Sequence, residues 1–229
     1  MDRSVALASY VECQFREHLP EAGDKCFPFV TISRQTGAGG ITIGERLAQF
    51  LRQKDSNIKC ACPWSVFDKE LVTEVLKKHH LPERIAPFLS EDKISEIEDI
   101  MDGLFGLHPA KWTLVHKTSQ MLLNLAHMGY VILVGRGANV VTRKLPGGFH
   151  VRLVGSFKKR LEHVKEYYHL DAKNGKTFIQ KEDIGRKNYL KKYFGKDIND
   201  PLLYDLVINT DTVSYSSAAE IIANAVLKR

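Results

Sequence analysis

Between Phe27 and Leu51 the chain sets an apolar run, a glycine-rich turn and an apolar stripe of helical spacing in immediate succession. The turn, Ser33-Arg34-Gln35-Thr36-Gly37-Ala38-Gly39-Gly40-Ile41-Thr42, has the residue types that hold phosphate. Glycines let backbone N–H groups approach anionic oxygens, and the first turn of a following helix adds unpaired donors. The usual phosphate-loop spacing, G-x-x-x-x-G-K-[ST], is not met. With Gly39 as its second glycine, Arg34 falls at the first glycine position, Gly40 at the lysine and Ile41 at the hydroxyl residue, with Thr42 just beyond. A dinucleotide-type G-x-G-x-x-G starting at Gly37 ends on Thr42 instead of glycine. On the glycines alone, a phosphate cradle and a tight structural turn both stand.

Six positions carry charge or hydroxyl chemistry. Thr42 is the candidate to reach Mg²⁺ through its hydroxyl, and Arg34 supplies a cation inside the loop. Asp68 ends a short β-rich run, where ligands of α/β sheets gather; its competing reading is an N-cap for a helix over residues 69–80. Arg136 follows an apolar run and sits between Gly135 and Gly137, where a guanidinium can fork onto a phosphate. The alternative there is a surface salt bridge. Asp183 and Arg186 are three apart and share a helix face. None of the nine histidines adjoins a Ser or Cys nucleophile, and Cys60-x-Cys62 lacks a second ligand pair, which argues against zinc.

These residues need elements to position them. Apolar β-rich runs at 27–33, 64–67, 130–134, 150–154 and 203–208 alternate with helical patterns at 69–80, 91–104, 112–127, 156–168, 184–194 and 216–227. The run Tyr130-Val131-Ile132-Leu133-Val134 is apolar throughout, as in a parallel strand buried on both faces. The alternation predicts an α/β fold with a five-stranded parallel sheet. Residues 171–183 read as polar and turn-like. Residues 1–21 read as a helix, so the expected organisation is an N-terminal helical extension over 1–25 and one domain over 26–229.

Composition narrows the class. The chain has 229 residues, 44% hydrophobic and 26% charged, which excludes a collagen-like or disordered chain. No window approaches the roughly 18 apolar residues of a membrane span, and the N-terminus lacks a secretory pattern. Four cysteines are too few for a disulfide scaffold, so a cytoplasmic protein with reduced thiols is expected. The net charge is +6, yet residues 158–196 hold twelve Lys or Arg against five Asp or Glu. Outside that segment the chain is near neutral. A confined basic excess suggests a local anion site; no aromatic-rich recognition motif accompanies it, so nucleic acid is not an expected partner.

Ile32-Ser33-Arg34-Gln35-x-Gly37-x-Gly39-Gly40-x-x-Ile43-Gly44 resembles the opening of the cytidylate kinase-like family, a divergent branch of the nucleoside monophosphate kinases. Phe67-Asp68-Lys69-Glu70-Leu71, Val134-Gly135-Arg136-Gly137-Ala138, Tyr193-Phe194-Gly195 and Asp200-Pro201-Leu202-Leu203-Tyr204-Asp205-Leu206-Val207-Ile208-Asn209-Thr210 are similar to its later motifs. The resemblance implies a three-layer P-loop kinase-like fold with a mobile helical lid over about 156–195. It implies ATP and Mg²⁺ as cofactors, and nucleotides as the small-molecule partners. It further implies ATP-phosphate contacts from Ser33, Arg34, Gln35, Gly37, Ala38, Gly39, Gly40, Ile41 and Thr42, and acceptor contacts from Asp68, Lys69 and Arg136. Arg34, Arg136, Arg160, Asp183 and Arg186 then form the catalytic set. Departures at Gly40 and Ile41, where relatives carry lysine or another basic residue, leave two alternatives. One is a nucleotide-binding regulatory protein without turnover; the other is a kinase for a different small molecule. A homo-oligomer is compatible with either.

Overall fold

The computed structural model describes residues 10, 27–54, 64–68, 91–105 and 113–229. The extension expected over 1–25 (Tyr10 excepted), the helix expected over 69–80 and Lys69 lie outside them. Five strands, β1 (Phe29–Arg34), β2 (Ser65–Phe67), β3 (Val131–Val134), β4 (Gly148–Val154) and β5 (Leu206–Asn209), form one sheet in the order β2-β3-β1-β4-β5. Every pairing is parallel, and the register sets Ile32 against Val134 on one side and Val151 on the other.

Strand alternation assigns the two faces. Val131 and Leu133 enter one core with Phe29, Phe67, Met121 and Leu122, beneath α2 (Glu91–Phe105) and α3 (Thr113–Met128). Ile132 and Val134 enter the other with Ile43, Leu47 and Ile222, beneath α1 (Gly40–Lys54) and the last helix, α7 (Tyr215–Leu227). Burial on both faces explains why β3 is apolar without interruption. A short helix, α4 (Ala138–Val141), follows β3, and a basic hairpin of α5 (Phe157–Tyr168) and α6 (Ala172–Phe194) follows β4. Tyr10 belongs to the first core: it is fully buried, its ring meets Phe67 edge-on at 5.5 Å, and its hydroxyl donates to the Gly129 carbonyl at 2.5 Å.

The segment 171–183, expected as a polar turn, is instead the front half of α6. Asp171 caps it by accepting from the Asn174 N–H at 2.8 Å. Ile179 is buried on its inner face, and Gly175 lets α5 approach so closely that a Cβ would lie 2.9 Å from Leu161 Cδ1. Packing against α5 supplies the stability that the polar sequence does not advertise. The strand expected from Leu203 begins at Leu206, because Asp200 caps a 3₁₀ turn over Pro201–Leu203.

One buried group in the sheet sets a pH limit. His150 on β4 is 3% exposed and shares a 2.8 Å hydrogen bond between its Nδ1 and the Thr31 hydroxyl. Burial pushes its pKa down to about 4; Asp205 opposes the shift, and Arg143 and Arg229 add to it. The unfolded chain takes up this proton near pH 6.5 and the folded chain only near 4. Stability therefore falls as pH drops through that window and levels off below it, by up to about 3 kcal/mol. Melting curves of wild type and His150→Gln between pH 7 and pH 4 should show the wild type losing that much more; parallel curves would assign the acid sensitivity elsewhere.

Candidate phosphate-transfer site

The loop after β1, the Gly135-Arg136-Gly137 turn after β3 and Asp68 after β2 all emerge at the carboxyl edge of the sheet. At this edge open α/β sheets bind ligands. Gly40 opens α1, whose first turn holds no acidic residue. The first helical bond runs from the Ile43 N–H to the Gly39 carbonyl at 2.8 Å. The N–H groups of Gly40, Ile41 and Thr42 therefore precede the helical ladder, at the positive end of the helix dipole.

Two cavities meet here. The larger, of about 240 Å³, lies between the strand ends and α6 and is lined by Ser33, Arg34, Arg136, Arg186 and Tyr189 among others. The smaller, of about 50 Å³, follows the loop from Arg34 to Thr42 and is closed by the end of α5. Arg34 and Arg186 line both.

Arg34 reaches this position through the space that Gly40 leaves empty. A Cβ on Gly40 would stand 2.9 Å from Arg34 Cγ and 3.2 Å from its Cδ, so the arginine stem fills the volume of a side chain at the loop-lysine position. Its guanidinium extends to Gly135, where a Cβ would lie 2.0 Å from Nη1. Burial presses its pKa down to about 10, with Arg186 adding to the shift and Asp68 opposing it. The group stays a cation at neutral pH. Arg136 holds a left-handed backbone, φ 56, between two glycines that do the same. A non-glycine residue pays about 1–2 kcal/mol for that conformation, and such strain gathers at functional turns.

Behind the loop, Asp183 of α6 collects four donors. It accepts from the Thr36 N–H at 2.7 Å, the Thr36 hydroxyl at 2.6 Å, Arg160 Nη1 at 2.7 Å and Arg186 Nη1 at 3.3 Å. Arg186 Nη1 also donates to the Thr36 hydroxyl, and Nη2 meets Glu182 at 3.2 Å. Arg160 completes the clasp through the carbonyls of Thr36 and Gly155. The basic hairpin is thereby fastened onto the loop.

The structure thus gathers Ser33, Arg34, Gln35, Gly37, Gly39, Gly40, Ile41, Thr42, Arg136 and Arg186 around the two cavities. Ala38 does not join them: its methyl is buried in the core and its N–H donates to the Gln35 carbonyl at 3.2 Å. Arg160, Asp183 and buried Asp68 stand behind the lining residues. Three residues here escaped sequence reasoning. Thr36 occupies an unspecified loop position, and Tyr189 looks like ordinary helix surface. Arg152 of β4 is 5% exposed and donates to the Ser33 hydroxyl at 2.8 Å. Its signal was a charged residue inside an apolar parallel strand.

A parallel sheet with a glycine loop opening its first helix defines the class as a kinase-like α/β protein of the nucleotide-binding kind. Residues 29–212 match the profile of the cytidylate kinase-like family, and the chain belongs to that family. A crystal structure of an uncharacterized protein from Eubacterium ventriosum shares the fold, with TM-score 0.67 and 22% identity over 90% of this chain and 100% of that one. A shikimate kinase from Acinetobacter baumannii in complex with shikimate aligns with TM-score 0.45 and 15% identity, over 88% and 94% of the two chains. No curated protein matches. Among the described residues no helix is long and apolar enough to cross a membrane.

Proposed function

We propose that this chain is an ATP-dependent phosphotransferase that moves the γ-phosphate to a nucleoside monophosphate such as CMP. The observation that carries the reading is the junction of the two cavities at Arg34 and Arg186. A donor held by the glycine loop and an acceptor held against Arg136 would meet between two guanidiniums. Phosphoryl transfer asks mainly for in-line positioning and for positive charge on the migrating group. Gly37, Gly39, Gly40, Ile41 and Thr42 would cradle the donor phosphates through backbone N–H groups, with Ser33 and Gln35 bordering them. Arg136 would fork onto the acceptor phosphate, with Asp68 and Lys69 on the acceptor side. Arg160 and Asp183 would hold Arg186 and the hairpin, acting as a lid, in place.

Among the described residues no group of three or more His, Cys, Asp or Glu is arranged to hold a metal. Kinases hold Mg²⁺ mainly by substrate phosphates and water, with one or two protein oxygens. Thr42, lining the loop cavity, is the residue that would reach it. When bound, the ion would neutralise charge on the phosphates.

The test is a panel of nucleoside monophosphates and small non-nucleotide alcohols with ATP and Mg²⁺, reading ADP release. The expected result is acceptor-dependent release, with CMP among the best. Saturable ATP binding with no release for any acceptor would favour the regulatory reading that Gly40 and Ile41 suggest. Release with a non-nucleotide acceptor alone would keep the phosphotransferase and discard the nucleotide acceptor.

A further inference from the structure

The wall of the loop cavity opposite the glycines is aromatic, which phosphate binding does not require. His163, Tyr167 and Tyr168, from the last two turns of α5, line it together with Ile41 and Thr42. Their rings form a continuous layer. Tyr215 meets His163 edge-on at 5.4 Å, His163 lies nearly parallel to Tyr167 at 5.8 Å and 29°, and Tyr167 meets Tyr168 at 4.9 Å. The inner end is structural: a Cβ on Gly39 would stand 2.5 Å from Tyr215 Cζ, so that ring supports the loop. At the outer end Tyr167 is 47% and Tyr168 45% exposed, and the Tyr168 ring also meets Phe178 of α6 at 5.0 Å. Both rings border the cavity and keep nearly half of their surface in water, where a ligand can reach them.

We infer that Tyr167 and Tyr168 are the stacking surface for the base of the nucleotide whose phosphates the glycine loop holds. The inference rests on the reading of that loop as a phosphate site and adds what selects a nucleotide over bare polyphosphate. A nucleobase offers a flat π face, and stacking on an aromatic side chain is worth about 1–3 kcal/mol per base. The ring layer begins beside the loop, where Tyr215 stands against Gly39, and Tyr167 and Tyr168 line the same cavity as Thr42. A ligand anchored by its phosphates at the first turn of α1 would have these rings in the wall of the same cavity. Among the neighbours, Gln35 uses its Oε1 to accept from the Gly155 N–H at 2.9 Å, and the Thr36 hydroxyl donates to Asp183. Stacking reads a base by its face, so purine and pyrimidine nucleotides are both expected to bind.

Calorimetric titration of the full chain with ATP and with inorganic tripolyphosphate, both with Mg²⁺, separates the base from the phosphates. Wild type is expected to bind ATP at least about tenfold more tightly than tripolyphosphate. Tyr167→Ala and Tyr168→Ala should shrink that margin several-fold each while leaving tripolyphosphate within about twofold. Tyr167→Phe and Tyr168→Phe should keep it, since a phenyl ring stacks equally well. Melting temperatures check that the alanine variants are folded; if either is not, the phenylalanine variant set beside Tyr→Leu at the same position decides. Equal wild-type affinity for the two ligands, or an equal loss of both in the alanine variants, overturns the stacking surface and leaves the loop reading intact. Failure of wild type to bind either ligand overturns both.

Discussion

Replacing Arg34 by alanine is expected to lower turnover by about 10²-fold or more while the protein still folds. The magnitude is that of losing a preorganised charge aimed at the transferring group. The reasoning is spatial. Kinases with the usual loop place a lysine where this chain has Gly40, and here the Arg34 stem occupies that volume, with Cγ 2.9 Å from where a Cβ would stand. The guanidinium then reaches the junction of the two cavities. Two companions make the test specific. Gly40→Lys alone should be deleterious, because its side chain competes with the Arg34 stem for one space. Arg34→Ala combined with Gly40→Lys should recover part of the lost turnover, since removing the stem opens room for a lysine. Steady-state rates and melting temperatures on the three variants check this. Undiminished turnover in Arg34→Ala would remove the residue from the chemistry, and no recovery in the double variant would show that the two positions do not share one role.

Much of the frame was legible because it rests on local regularities. The apolar run before the glycines, the stripe of Ile43, Leu47, Ala48 and Leu51, and the unbroken β3 follow directly from burial on one or two faces. Arg136 stood out as a candidate from its place between two glycines after a strand end, and the structure sets it in the wall of the larger cavity. Less legible was anything decided by distant contacts. The helix over 172–183 looked like a turn because its inner face offers little beyond Gly175 and Ile179, and α5 does the rest. The bonds from Thr36 to Asp183 join residues 147 apart, so no local spacing could reveal them. Arg34 was legible as a spare cation, but its route through the space left by Gly40 is a fact of packing alone.

Gly37→Ala is expected to cost about 2–4 kcal/mol of stability and to loosen the basic hairpin from the loop. Two independent strains add at this position. Gly37 has φ +84, which costs an L-residue about 1–2 kcal/mol. The new Cβ would also stand 2.4 Å from the Arg160 carbonyl oxygen and 3.0 Å from its C and Cα. Those are backbone atoms of α5, so no rotamer change relieves the clash and the helix must retreat. Retreat draws Arg160 away from Asp183 and from the Thr36 carbonyl, which now sit 2.7 and 3.1 Å from its Nη1. A domain of this size shifts its melting temperature by about 2–4 °C per kcal/mol, so a fall of about 5–15 °C is expected. Gly185→Ala is the contrast: it lies within α6 with nothing inside 4 Å of its added Cβ. Helix propensity there favours alanine by up to about 1 kcal/mol, so its melting temperature should hold or rise. Calorimetry on both variants, with hydrogen exchange across residues 156–195, reads the difference. Faster exchange in Gly37→Ala alone is the expected pattern, whereas equal melting temperatures in the two variants would mean that α5 does not bear on the loop as the geometry requires.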